Sequence, residues 1–229
     1  MEKFPIAKID LERRTENYDT LPTPQVAAIA LELGAVAIEF SRVDRVPRYD
    51  ETSRESDVEH SYMLALVVSE LAERLFPGVL DSGLVSQFAI VHDLIELLTG
   101  DVATFHHTAD QMLAKQETEH AALAKLMERL PPHTRELLYT YEQQQVPEAR
   151  FVKAVDKLLP VVVDVLGPGQ KVMNEDYNVH TSAELQASHT QLHGRIAQSF
   201  GIEFPQVTDA HALLCELFEL EFEATLPQS

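Results

Sequence analysis

His92-Asp93-Leu94-Ile95-Glu96-Leu97-Leu98-Thr99-Gly100-Asp101 is the stretch on which the reading of this chain turns. Its apolar spacing is helical. His92 shares a face with Phe88, Ile95, Glu96 and Thr99, which stand three, four or seven residues from it. Asp81 is placed to cap the start of this helix, and Gly100 to stop it in the left-handed conformation that glycine adopts without penalty. A helix from Asp81 to Thr99 therefore carries an imidazole and a carboxylate into an apolar stripe.

The same punctuation recurs outward from this stretch. Thr23-Pro24 opens an Ala/Leu-rich run to about Phe40, with Thr at the N-cap and Pro at the first helical position. Ser56-Asp57-Val58-Glu59 reads as a capping box launching a helix to about Phe76, before Pro77-Gly78. Thr108-Ala109-Asp110-Gln111 is a second box, heading a helix that ends before Pro131-Pro132, and a shorter helix follows to about Glu142. Pro147 opens a helix through Asp156 to about Leu166, closed by Gly167-Pro168-Gly169. Further runs fit roughly 181–200 and 208–224. With about eight helices and no strand hairpin, the expected fold is all-α, a single-domain helical bundle over residues 1–229. Its motif-bearing core spans about 24–166 and a C-terminal helical part about 170–226.

Composition narrows the function. The 18 basic and 37 acidic side chains leave a net charge of −19, which repels a nucleic acid polymer but still admits a small anion where a dication and an arginine invert the local potential. One cysteine, Cys215, excludes an intrachain disulfide and suits a reducing, cytoplasmic setting. No apolar run approaches the roughly 20 residues of a membrane span, so no membrane role is expected. The amphipathic helices leave a homodimer open.

Three predicted helices each turn a titratable group inward. His60 lies with Leu64, Val67 and Leu71, His92 with Phe88 and Ile95, and Asp156 with Val152, Leu159 and Val163. An unpaired buried charge costs several kcal/mol, so this pattern calls for a compensating partner. Imidazole nitrogen and carboxylate oxygen together suit a divalent metal. Simpler readings exist for each residue alone: His60 as a hydrogen-bonded core histidine, Asp156 as an ion-pair partner of Lys153 or Lys157.

The ordered set His60, His92-Asp93, Asp156 resembles the metal motif of the HD-domain phosphohydrolase superfamily. Arg45-Val46-Pro47, Val58-Glu59-His60-Ser61, His92-Asp93 through Leu98-Thr99-Gly100-Asp101, and Val152-Lys153-Ala154-Val155-Asp156-Lys157-Leu158 are similar to its 5′-deoxynucleotidase branch, over roughly Val43 to Leu166. The resemblance implies that His60, His92, Asp93 and Asp156 hold one divalent ion, whether Mn, Co, Mg, Fe, Ni or Zn. It further implies that Glu96 and Asp101 flank the water and the scissile ester, that Arg45 contacts the phosphate, and that the protein is a homodimer. The expected activity is removal of the 5′-phosphate from a nucleoside monophosphate, with the metal lowering the pKa of water from about 15.7 to about 7.

Rival readings accompany these roles. Glu96 can instead support His92 by a hydrogen bond, Asp101 can cap a turn, and Arg45 can be a solvated loop residue beside Arg42 and Arg48. The branch usually carries Trp where this chain has Val46, which removes a stacking surface for a nucleobase. Hydrolysis of another nucleotide (a deoxynucleoside triphosphate, guanosine tetraphosphate or a cyclic nucleotide) keeps the same site, and a non-catalytic metal or nucleotide sensor keeps the same fold. His189 and His193, four apart on one helix, have metal-binding spacing but no evident acidic partner in sequence, so a solvated face is expected for them. Cys215 is expected to be a packed thiol.

Overall fold

The computed structural model describes residues 22–101, 118 and 121–225. It is helical nearly throughout, as the spacing implies. Helix α1 covers Thr23–Phe40, α2 Asp57–Leu75, α3 Ser82–Val91 and α4 Glu96–Thr99. The helical run 121–129, α5, is followed by α6 Pro132–Gln143, α7 Pro147–Asp156, α8 Leu159–Leu166, α9 Gly169–Glu175, α10 Ser182–Phe200 and α11 Pro205–Thr225. The expected Thr108 box, with His106, His107 and Met112, lies outside the described residues.

Several punctuation marks act as their chemistry dictates. Ser56 Oγ accepts the Glu59 N–H while Glu59 Oε2 accepts the Ser56 N–H at 2.9 Å, closing the capping box of α2. Asp81 Oδ1 accepts the Gly83 and Leu84 amides at the head of α3, and Gly100 takes φ of 70° after α4. At α1 the helix begins at Thr23 itself, with Pro22 in the cap position and no side-chain cap. This helix exposes Val26, Leu31 and Ile38. Its 18 residues, at mean hydropathy 1.3, meet the length and composition of a membrane-crossing helix, contrary to the expectation that no run came near that size.

Three expectations are corrected. A short antiparallel hairpin exists, β1 Asp44–Arg48 paired with β2 Arg54–Ser56. Its turn is an Asx turn in which Asp50 Oδ1 accepts the Thr52 and Ser53 amides at 2.8 and 2.7 Å. The expected helix from 81 to 99 is broken after Val91, where Leu94→Val91 and Glu96→Asp93 backbone bonds tighten to a three-residue spacing and swing Asp93 off the α3 face. The helix expected from 147 to 166 breaks after Asp156, because Pro160 has no N–H to offer the Asp156 carbonyl.

Packing joins these elements around the break points. Leu64 and Val68 of α2, Phe88 of α3, and Phe151 and Val155 of α7 are fully buried together. Edge-to-face contacts join Phe76, Phe151 and Phe204 at 5.2 to 5.7 Å between centroids. Val36 and Phe40 of α1 pack with Leu94, Ile95 and Leu126 in a second cluster. A third gathers Val161, Val172, Leu185, Phe218 and Phe222, with Val46 packed against it. The hairpin is fastened to the later chain by Arg48 and Arg54, which both meet the Asp176 carboxylate. Gly167 is required by close approach: a Cβ there would lie 2.3 Å from the Arg48 carbonyl oxygen.

Candidate metal centre

Each break in the helical run delivers a donor to one point. His60 comes from the first turn of α2, His92 and Asp93 from the tightened turn after α3, and Asp156 from the last residue of α7. His60 Nε2 lies 2.9 Å from Asp156 Oδ1, and His92 Nε2 lies 2.8 Å from Asp93 Oδ2 and 3.6 Å from Asp156 Oδ1. The two rings stand 5.3 Å apart. One donor atom from each of the four residues falls within 4.8 Å of all the others. His60, His92 and Asp156 are buried, and Asp93 is partly so.

The donor set fits a dication. His92 Nδ1–H donates to the Ala89 carbonyl at 2.8 Å, which leaves the Nε2 lone pair aimed at two carboxylate oxygens. His92 Nε2 makes no hydrogen bond of acceptable geometry despite that closeness. A lone pair facing carboxylates is repulsive unless a cation or an added proton lies between them. A proton on Nε2 answers that need as a cation would. Burial alone would depress His92, but the close Asp93 and Asp156 carboxylates push its pKa up to about 10. Against their own burial, Asp93 and Asp156 are held well below the ordinary carboxylate range, Asp93 by His92 and Asp156 by Lys157 and the two histidines. Lys157 Nζ sits 2.7 Å from Asp156 Oδ2, so the ion pair expected as a rival explanation coexists with the inward role.

Arg45 on β1 reaches the same point. Its Nη1 is 2.9 Å from Asp93 Oδ2, 3.1 Å from Asp57 Oδ1 and 3.7 Å from Glu96 Oε2, while its Nε is 3.4 Å from Glu55 Oε2. It is thus a half-buried member of the cluster rather than a solvated loop arginine. Glu96, first residue of α4, is buried. Burial and the charges of Asp93, Asp101 and Asp57 push its pKa up to about 10, against the pull of Arg45. Asp101 stands near enough for its charge to act on Arg45, Asp57 and Glu96.

Sequence reasoning missed two carboxylates here. Glu55 on β2 is fully buried, places Oε2 3.4 Å from His60 Nδ1, and accepts from Tyr49 Oη at 3.2 Å. Asp57 is also fully buried, and with Asp93 and Glu96 it forms a second group whose donor atoms lie within 4.8 Å of one another. Burial pushes the Asp57 pKa up to about 6, Arg45 opposing it.

The comparisons agree with this architecture. A sequence model of the HD domain family matches residues 41–199, and the chain belongs to that family. The match runs well beyond Leu166, where the resemblance in the motifs ended. A 5′-deoxynucleotidase of Xenopus laevis is 30% identical over 125 residues, covering 51% of this chain and 59% of that protein. One of Vibrio vulnificus is 32% identical over 124 residues, covering 51% and 64%. The human 5′-deoxynucleotidase is 30% identical over 125 residues, covering 51% and 58%. The chain thus spans about three fifths of the length of these relatives. A crystal structure titled as a predicted metal-dependent phosphohydrolase from Magnetospirillum magnetotacticum shares the fold, with a TM-score of 0.65 at 24% identity, over 91% of this chain and 100% of that one.

Proposed function

We propose that this protein is a metal-dependent phosphohydrolase that removes the 5′-phosphate from nucleoside monophosphates, deoxynucleosides included. The observation that carries the reading is the convergence of His60, His92, Asp93 and Asp156 from separate segments within 4.8 Å of one another. These four would hold one divalent ion, which when bound polarises a phosphoryl oxygen and makes water a competent nucleophile near neutral pH. The 5′-deoxynucleotidases to which about half of the chain is similar support the substrate class.

The surrounding residues have distinct tasks. Arg45 offsets the negative charge that spreads over the phosphoryl oxygens in the transition state. Glu96 carries a proton between the attacking water and the departing 5′ oxygen, its burial and acidic neighbours raising its affinity for that proton, and Asp101 shares the proton traffic at the rim. Glu55 holds the far nitrogen of His60, and Lys157 fixes the Asp156 carboxylate. Because Arg45 already faces four carboxylates, the charge balance favours a single phosphoryl group over a triphosphate.

Phosphate release from nucleoside monophosphates with Mn, Co or Mg tests the proposal. Release is expected, and Asp93→Ala is expected to abolish it while circular dichroism shows a folded chain. No release from any nucleotide under metal-replete conditions overturns the assignment. Liberation of tripolyphosphate, pyrophosphate or a linear nucleotide would transfer the same site to another substrate.

A further inference from the structure

Asp93 and Lys157 form the exposed edge of the donor cluster. The imidazoles of His60 and His92 and the carboxylate of Asp156 are buried, and the Arg45 side chain is 10% exposed, whereas that of Asp93 is 20% and that of Lys157 42% exposed. An anion arriving from solvent meets this edge first. Lys157 Nζ lies 2.7 Å from Asp156 Oδ2, while Oδ1 of the same carboxylate is 2.9 Å from His60 Nε2 and 3.6 Å from His92 Nε2. The ammonium and the proposed ion position therefore stand on either side of a single carboxyl group. Lys157 is also near enough to Asp93 and Arg45 for their charges to act on it.

Resting on the phosphohydrolase reading above, we propose that Lys157 binds the phosphoryl group of the substrate directly, as a second cation alongside Arg45, besides holding Asp156. An ammonium carries three donors on a flexible stem, and Asp156 takes one of them. Arg45 is more heavily engaged. Its Nη1 faces Asp57, Asp93 and Glu96 and its Nε faces Glu55, so much of its charge is matched before any anion arrives. Charge balance points the same way. A dication held by His60, His92, Asp93 and Asp156 is offset by the two carboxylates among them, and Arg45 is offset by Glu55 and Asp57. Lys157 is the positive charge left for a phosphomonoester, which arrives as an anion.

Orientation of Asp156 alone accounts for less. Its Oδ1 is already placed by His60, and an ion pair whose ammonium is this open to solvent is screened and weak. Once Oδ1 is engaged on the metal side, Oδ2 carries less charge, and the ammonium is freer to turn a donor towards an arriving phosphoryl oxygen. A compact ammonium suits that task, because it forms a charge-assisted hydrogen bond with an oxygen approaching from any side.

Equilibrium dialysis against radiolabelled inorganic phosphate tests this on the full chain, with wild type and each variant brought to its own Mn(II) saturation. The paramagnetic resonance of free Mn(II) reports metal affinity separately. Lys157→Ala is expected to bind phosphate at least about tenfold more weakly than wild type, because a hydrogen bond between charged groups is lost. Lys157→Arg keeps the charge and is expected to recover most of that loss, and phosphate affinity is expected to fall less steeply with salt in Lys157→Ala than in wild type. Unchanged phosphate affinity in Lys157→Ala, with only Mn(II) affinity reduced, leaves Lys157 an orienting role and overturns the proposal. So does a metal-saturated wild-type chain that binds no phosphate. Lys157→Gln supplies the same comparison where the alanine variant does not fold. Dialysis needs no turnover, so the two readings fail separately. Phosphate held through Lys157 without release from any nucleotide refutes the proposed activity alone, and release with unchanged affinity in Lys157→Ala refutes the lysine's role alone.

Discussion

Glu55 Oε2 stands 3.4 Å from His60 Nδ1, on the opposite side of the imidazole from Asp156. The imidazole therefore has a carboxylate close to each nitrogen, hydrogen-bonded at Nε2 and only near at Nδ1, and Tyr49 donates to the other Glu55 oxygen. Glu55→Gln keeps the size and loses the charge. It is expected to weaken metal affinity by roughly 10- to 100-fold while leaving the helical fold intact. Competition with a fluorescent chelator measures this, and unchanged affinity would show that Glu55 merely fills space.

Arg45 is the guanidinium on which Glu55, Asp57, Asp93 and Glu96 converge. Replacing it with Ala removes transition-state charge compensation, with an expected loss of about 10²- to 10³-fold in kcat/KM. Arg45→Lys restores charge without the planar fork and should recover only part of that loss. Full activity in either variant would remove Arg45 from the phosphate-binding role.

The metal-free chain should be destabilised by alkali. A group whose folded pKa lies above its unfolded value releases its proton on unfolding, so stability present at lower pH is lost as pH rises. For His92 the window runs from 6.5 to about 10, and for Glu96 from 4.5 to about 10. Thermal melts of the chelator-treated protein are thus expected to fall in Tm between pH 6.5 and 10. Added metal displaces these protons, so its stabilising effect should grow over the same interval. A flat Tm in the metal-free protein contradicts the protonation described for this cluster.

Asp164 offers an independent reading of the same linkage away from the proposed metal donors. Its carboxyl is buried with Oδ1 lacking a hydrogen-bond partner, and burial with the nearby Glu55 charge pushes it up to about 8. Native stability is expected to decline as pH passes from 3.8 to about 8 on its account. Asp164→Asn should remove that component, raising Tm at pH 9 relative to wild type more than at pH 5.

Gly167 tests the docking of the hairpin. Any Cβ there meets the Arg48 carbonyl at 2.3 Å and the Val163 carbonyl at 3.0 Å. Gly167→Ala must push β1 away from the end of α8, carrying Arg45 with it. Reduced Tm together with raised KM is the expected pair of effects, and wild-type values for both would show that the contact yields freely.

What was legible in sequence was whatever local chemistry specifies. Ser56 and Glu59 announce a helix start because both halves of the box lie within four residues, and His60, His92-Asp93 and Asp156 announce a shared cluster because each falls on the apolar side of its helix. The hairpin was hidden because Asp44–Arg48 lacks alternating apolar residues, contains Pro47, and pairs in an irregular register. Glu55 and Asp57 carry no local mark of a buried role, because their burial arises only once β2 and Arg45 pack against α2. His189, which is buried rather than solvated, was misjudged for a related reason. Its acidic partner, Glu219, is thirty residues away on another helix, beyond anything the periodicity of α10 can display.

The Asp176 carboxylate, gripping Arg48 and Arg54 together, ties the strand pair bearing Arg45 and Glu55 to α9. A shortened version ending at Leu166, the place where the recognisable motifs stop, would retain all four proposed ligands yet sever that tether and bare Val46. Such a truncation would also strip Phe200 and Phe204 from the core that carries His60 and Asp156, which makes roughly the last quarter of the polypeptide a buttress of the pocket rather than an appendage.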